Sequence, residues 1–147
     1  MFGKFVPRKI KIMNLKGKNA IITGGGRGLG RAVAQALANE GVNIGITGRN
    51  ENYLKIATNE LKETGVKVAY AVFNVDNELE VKAGIESLAN TLGGIDILVN
   101  NAALHWESQS IEDISTDQLT KTFHNNFFSY FWITKYAMPY LEKGASI

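Results

Sequence analysis

Ala20-Ile21-Ile22-Thr23-Gly24-Gly25-Gly26-Arg27-Gly28-Leu29-Gly30-Arg31-Ala32-Val33 is the stretch that decides the fold. An apolar run feeds a glycine-dense turn, and the turn opens into a helical pattern. Glycine takes positive φ at little cost and lets the backbone approach a ligand with no Cβ in the way. The following helix offers unpaired N–H groups and a partial positive charge at its amino terminus. Strand, glycine turn and helix start together make a site for the phosphates of a nucleotide.

Outward from that turn the chain alternates. A short apolar strand over residues 18–23 precedes it. The first helix carries Leu29, Val33, Ala36 and Leu37 as an apolar stripe and ends at Gly41. A strand over 42–47 leads through Gly48-Arg49-Asn50 to a helix over 51–64, with Leu54, Ile56, Ala57 and Leu61 expected inward. A third strand over 66–75, a helix over 77–92 and a strand over 95–99 follow. Residues 101–115 read as a loop. A long aromatic helix over 116–140 comes next, which Pro139 should end or kink. Gly144 to Ile147 look like the start of a fifth strand. The pattern predicts an α/β fold, a doubly wound parallel sheet of the Rossmann type with right-handed crossovers. It is expected to be incomplete, ending at the start of the fifth strand. Residues 1–13 read as a basic, disordered leader and 14–147 as the nucleotide-binding portion of one domain.

Composition narrows the function. With 147 residues, 45% hydrophobic and 20% charged, the chain has the balance of one globular unit. A formal net charge of +2, with acids and bases interspersed, gives no reason to expect a nucleic-acid partner. There is no cysteine, and His105 and His124 stand apart, so no metal centre is expected. No apolar run reaches the roughly 20 residues of a membrane span, and the amino terminus lacks a signal-peptide core. A cytoplasmic location is expected.

The glycine spacing is specific. Gly-x-Gly-x-x-Gly fails, because Gly26 and Gly28 would need a third glycine where Arg31 stands. Thr23, Gly24, Gly28 and Gly30 spell Thr-Gly-x-x-x-Gly-x-Gly instead. On these residues the chain resembles the short-chain dehydrogenase/reductase family, in particular 3-oxoacyl-carrier-protein reductases and glucose-dehydrogenase-like members. The resemblance implies hydride transfer between a nicotinamide dinucleotide and a carbonyl or alcohol. It makes Thr23, Gly24, Gly25, Gly26, Arg27, Gly28, Leu29 and Gly30 the cofactor loop. A carboxylate after the second strand would read the ribose 2′-OH of NAD, whereas arginine suits the 2′-phosphate of NADP. Here Gly48 and Arg49 stand there, and Arg27 adds a second guanidinium, so NADP(H) is expected over NAD(H).

The remaining roles are implied by the resemblance. Asn74 and Val75 match the family position that touches adenine. Asn100, Asn101 and Ala102 match an Asn-Asn-Ala-Gly stretch, with Asn101 and Ala102 beside the cofactor. Ala103 replaces the glycine, and a methyl group would cost about 1 kcal/mol if the position needs positive φ. Asn126 aligns with the asparagine of the family's catalytic tetrad, which holds a water of the proton relay. The tetrad's serine is not found, and no tyrosine has a lysine four residues on. The 147-residue chain is therefore expected to be a truncated family member, inactive alone. The alternatives are a non-catalytic module that binds NADP(H), forms a homo-oligomer or pairs with a full-length relative, and an inactive remnant. The carbonyl substrate is unspecified.

Overall fold

The computed structural model describes residues 14–147; the basic leader lies outside the described residues. Five strands form one parallel sheet: β1 (Asn19–Thr23), β2 (Asn43–Gly48), β3 (Val68–Val72), β4 (Ile95–Val99) and β5 (Leu141–Ser146), in the order β3-β2-β1-β4-β5. The chain moves outward from β1 to β3 and then returns across the sheet to β4. This reversal leaves a crevice at the carboxyl ends of β1 and β4, where open α/β sheets bind ligands.

Strand alternation divides the core in two. On one face Ala20, Ile22, Ile44 and Ile46 pack under α1 (Gly28–Asn39) and α2 (Glu51–Lys62). On the other, Ile21, Ile95 and Leu98 pack against α3 (Glu78–Leu92) and the distal part of the aromatic helix. Strands buried on both sides read as continuous apolar runs, which is why the sequence announces them.

Three expectations change in detail. Leu29 is 80% exposed, because it sits in the first turn of α1 beyond the end of the sheet. Ala36 is exposed as well, and the helix instead buries Gly30, Ala34 and Ala38, small residues that let it lie close to the strands. Ile56 is also exposed: α2 buries Leu54, Ala57, Thr58 and Leu61, a stripe at i, i+3, i+4 and i+7 that leaves Ile56 on the opposite side. The fifth strand starts at Leu141 rather than Gly144, after Pro139 ends the helix in a 3₁₀ turn.

The aromatic helix is interrupted. α4 (Thr116–Phe123) and α5 (Ser129–Ala137) are joined by a π turn over His124–Phe128, closed by the Ser129 N–H donating to the His124 carbonyl. Phe123, Phe127 and Phe131 stand more than half exposed. No helix among the described residues is long and apolar enough to cross a membrane.

Candidate functional site

Thr23 ends β1 fully buried and ties it to the loop after β4. Its Oγ1 accepts from the N–H groups of Asn101 and Ala102, each at 3.0 Å, and donates to the Val99 carbonyl at 3.3 Å. Asn101 Nδ2 returns a bond to the Thr23 carbonyl at 2.8 Å. The first glycine turn and the Asn-Asn-Ala stretch are thus locked side by side.

Glycine is needed here for space. A Cβ on Gly30 would stand 2.4 Å from the Gly24 carbonyl oxygen and 2.5 Å from Asn101 Nδ2. Gly24 turns at φ +68°, with Asn101 and Ala102 against it. Gly25 packs on β2, where a Cβ would meet Ile46 at 2.5 Å, and its N–H donates to the Thr47 carbonyl.

The result is a cleft of about 500 Å³ over the carboxyl ends of the strands. Gly24, Gly26, Arg27, Gly28, Leu29 and Gly30 form one wall. Arg49 and Tyr53 stand at the β2 end, Phe73 and Val75 at the β3 end, and Asn101, Ala102, Ala103 and Asn125 beyond β4.

Charge gives the cleft a sign. α2, α3 and α4 begin with side-chain caps from Asn50, Asn77 and Ser115 and carry acids in their first turns. α1 begins at Gly28, preceded by Arg27 at the cap position, with no side-chain cap and no acid in its first turn. Its first N–H groups are left to a ligand, and an anion suits them. No aspartate or glutamate lines the cleft. Arg27 and Arg49 make no ion pair among the described residues. The nearest acid in sequence, Glu51, bonds Lys55 and Tyr70, and those hydrogen bonds hold its carboxyl below the ordinary range. A glycine cradle, an uncapped helix and two guanidinium groups without an ion pair fit the phosphates of a dinucleotide.

Not every expected residue faces the cleft. Thr23 and Gly25 act from beneath it, as anchor and packing element. Asn74 turns its Oδ1 to the Asp76 N–H at 3.3 Å, leaving Phe73 and Val75 as the wall there. Ala103 lines the cleft with no positive φ, so the methyl group strains nothing in the backbone.

Asn126 holds the main chain of Leu104 at both ends. Its Oδ1 accepts from the Leu104 N–H at 2.7 Å and its Nδ2 donates to the Leu104 carbonyl at 2.8 Å. The adjacent Asn125 is the one that reaches the cleft, its Nδ2 donating to the Lys121 carbonyl. Sequence reasoning missed Asn125, Thr47 and Tyr53. Tyr53 stands in the first turn of α2, directly after the Gly48-Arg49 turn, and that position offers a signal; for Thr47 the strand-end position alone was available.

The geometry agrees with what known proteins share with this chain. A family model described as short chain dehydrogenase matches residues 18–147. General stress protein 39 of Bacillus subtilis (strain 168) is 42% identical over 134 residues, 90% of this chain and 47% of that protein. The NADPH-dependent aldehyde reductase 1, chloroplastic, of Arabidopsis thaliana is 36% identical over 140 residues, 90% of this chain and 49% of that protein. The solved structure of an NAD+-bound xylitol dehydrogenase superposes with a TM-score of 0.83 at 28% identity, covering 87% of this chain and 49% of that one. The chain spans about half the length of these relatives. From the locked Thr-Gly-x-x-x-Gly-x-Gly turn to the parallel sheet that carries it, the chain belongs to the short-chain dehydrogenase family of oxidoreductases.

Proposed function

We propose that these residues form the cofactor half of an NADP(H)-dependent oxidoreductase that moves hydride between a nicotinamide and a carbonyl or alcohol carbon. The observation that carries this reading is the cleft lined by two arginines and no carboxylate. Gly24, Gly28 and Gly30, with the uncapped start of α1, would take the pyrophosphate. Arg27 and Arg49 would pair with the 2′-phosphate, whose oxygens accept guanidinium bidentately. Phe73 and Val75 would flank the adenine, with Asn74 shaping the turn behind them, and Asn101 and Ala102 would lie along the nicotinamide ribose. When bound, the cofactor would supply or accept the hydride, and the chain's own residues would hold it in the cleft. Asn126 would hold the loop after β4 in register, fixing Leu104 by both main-chain groups and keeping its turn of helix against the proton-relay water the family uses.

Thermal unfolding with millimolar NADP+ or NAD+ tests the reading. Binding to the folded state alone stabilises by about 2.7 kcal/mol at a hundredfold excess over Kd. The expected outcome is a clear shift with NADP+ and a smaller one with NAD+. Equal shifts, or a larger one with NAD+, would overturn the preference. The 147 residues contain no Tyr-x-x-x-Lys, and this chain by itself is expected to oxidise NADPH with ketones no faster than background.

The exposed Phe123, Phe127 and Phe131 favour a second reading, an interaction module that pairs with another copy or a longer relative. Concentration-dependent association without any cofactor shift would favour it over the first.

A further inference from the structure

Arg27 does not stand alone at the rim of the cleft. Its guanidinium carbon lies 5.8 Å from the centroid of the Tyr53 ring, within the range at which a cation is drawn to the negative face of an aromatic ring. Among the described residues no carboxylate pairs with it, so the ring is the one side chain found to hold it.

Tyr53 is built to be a fixed platform. Its N–H donates to the capping Asn50 Oδ1 at 3.2 Å, and the next residue, Leu54, is fully buried. A Cβ on Gly26 would lie 3.3 Å from both Tyr53 Cβ and Leu54 Cδ2, so the base of Tyr53 abuts the glycine turn itself. The ring stays about half exposed at the cleft, and its hydroxyl makes no hydrogen bond among the described residues. The contact with Arg27 is therefore made by the ring face.

We propose that Tyr53 is a positioning residue for 2′-phosphate recognition, its ring holding the Arg27 guanidinium at the cleft before the ligand arrives; this rests on the NADP(H) reading and deepens it. An exposed arginine has many rotamers, and ordering it beforehand removes part of that cost from binding. The contribution is specific to the phosphorylated dinucleotide, because Arg27 has nothing to grip on an unphosphorylated ribose.

Calorimetric titration of the 147-residue chain with NADP+ and NAD+ tests this in five forms: wild type, Tyr53→Phe, Tyr53→Leu, Arg27→Ala and the double variant Arg27→Ala/Tyr53→Leu. Tyr53→Leu should weaken NADP+ binding about two- to fivefold, the size of an exposed cation–ring contact, with NAD+ unchanged. Tyr53→Phe should bind as wild type does, and in the Arg27→Ala background Tyr53→Leu should have no further effect. Equal weakening of both dinucleotides would make Tyr53 a wall for the adenosine and overturn the proposal. So would a loss with Tyr53→Phe, or an effect that survives without Arg27. A wild-type chain that binds NAD+ as well as NADP+ overturns the cofactor reading itself, whatever the variants do, and one that binds neither overturns both.

Discussion

Gly30 faces two rigid neighbours at once, the Gly24 carbonyl and the Asn101 amide that bonds the Thr23 carbonyl. Neither can move without opening the join between β1 and β4. Gly30→Ala should therefore cost about 3 kcal/mol, the upper end of the range for forcing a methyl group into a packed site, and weaken NADP+ binding with it. Gly28 is a contrast: it has φ +56° and open space around it. Gly28→Ala should cost only the backbone penalty of about 1–2 kcal/mol. Urea unfolding of the two variants checks the order, and equal losses would refute the steric account. At this scale the sequence was most readable where backbone geometry leaves one residue type possible, as in the glycine turn. It was least readable at Asn125 and Asn126. By α-helical spacing Asn126 shares a face with Phe123 and Tyr130, yet Phe123 is exposed, and it is Asn125 that meets the cleft. The π turn accounts for this, since its wider turn breaks the 3.6-residue period on which face assignments rest.

At the opposite end of the sheet from the cleft, β1 and β4 are joined by charge. Lys18 Nζ donates to Asp96 Oδ1 at 2.6 Å, and the Asn19 N–H to Asp96 Oδ2 at 2.9 Å. Burial alone would raise the Asp96 carboxyl, but the bonds from Lys18 and Asn19 outweigh it and hold it below its ordinary value. Asp96 in turn raises Lys18. A depressed carboxyl lends stability above its unfolded pKa, about 3.9, and loses it as pH falls through the lower folded value. A raised lysine lends stability below its unfolded pKa and loses it as pH climbs through the higher folded one. Asp96→Asn should flatten the acid limb of the stability profile below about pH 4 and the alkaline limb above about pH 10. Urea midpoints across pH check it; parallel profiles for the variant and wild type would show that the pair carries no pH dependence. The elements themselves were legible because each of the first four strands is a short, mostly apolar run and glycine follows the first three helices. Nothing in the side chains marks the π turn, or the early start of β5 after Pro139.

The whole molecule is two cores on one sheet. Ile21 and Ile22 are neighbours in sequence, both fully buried, and point into opposite cores. The order β3-β2-β1-β4-β5 was open to sequence reasoning because right-handed crossovers leave few ways to wind alternating strands and helices. What alternation does not give is whether the two faces melt together. The cleft draws Leu54 from one core and Phe73 and Val75 from the other, and β1 carries side chains into both. One cooperative transition is therefore expected. Ile21→Val and Ile22→Val should each lower it by about 0.5–1.5 kcal/mol, the usual cost of one buried methylene. Trp132 packs on the Ile21 side, so its fluorescence in a Trp106→Phe background reports that face, while far-ultraviolet circular dichroism reports both. The two signals should give the same midpoint in both variants, and NADP+ should raise it equally. If Ile22→Val instead left the Trp132 transition in place while moving the dichroism, the faces would be separate folding units. A cofactor held between them could then stabilise one without the other.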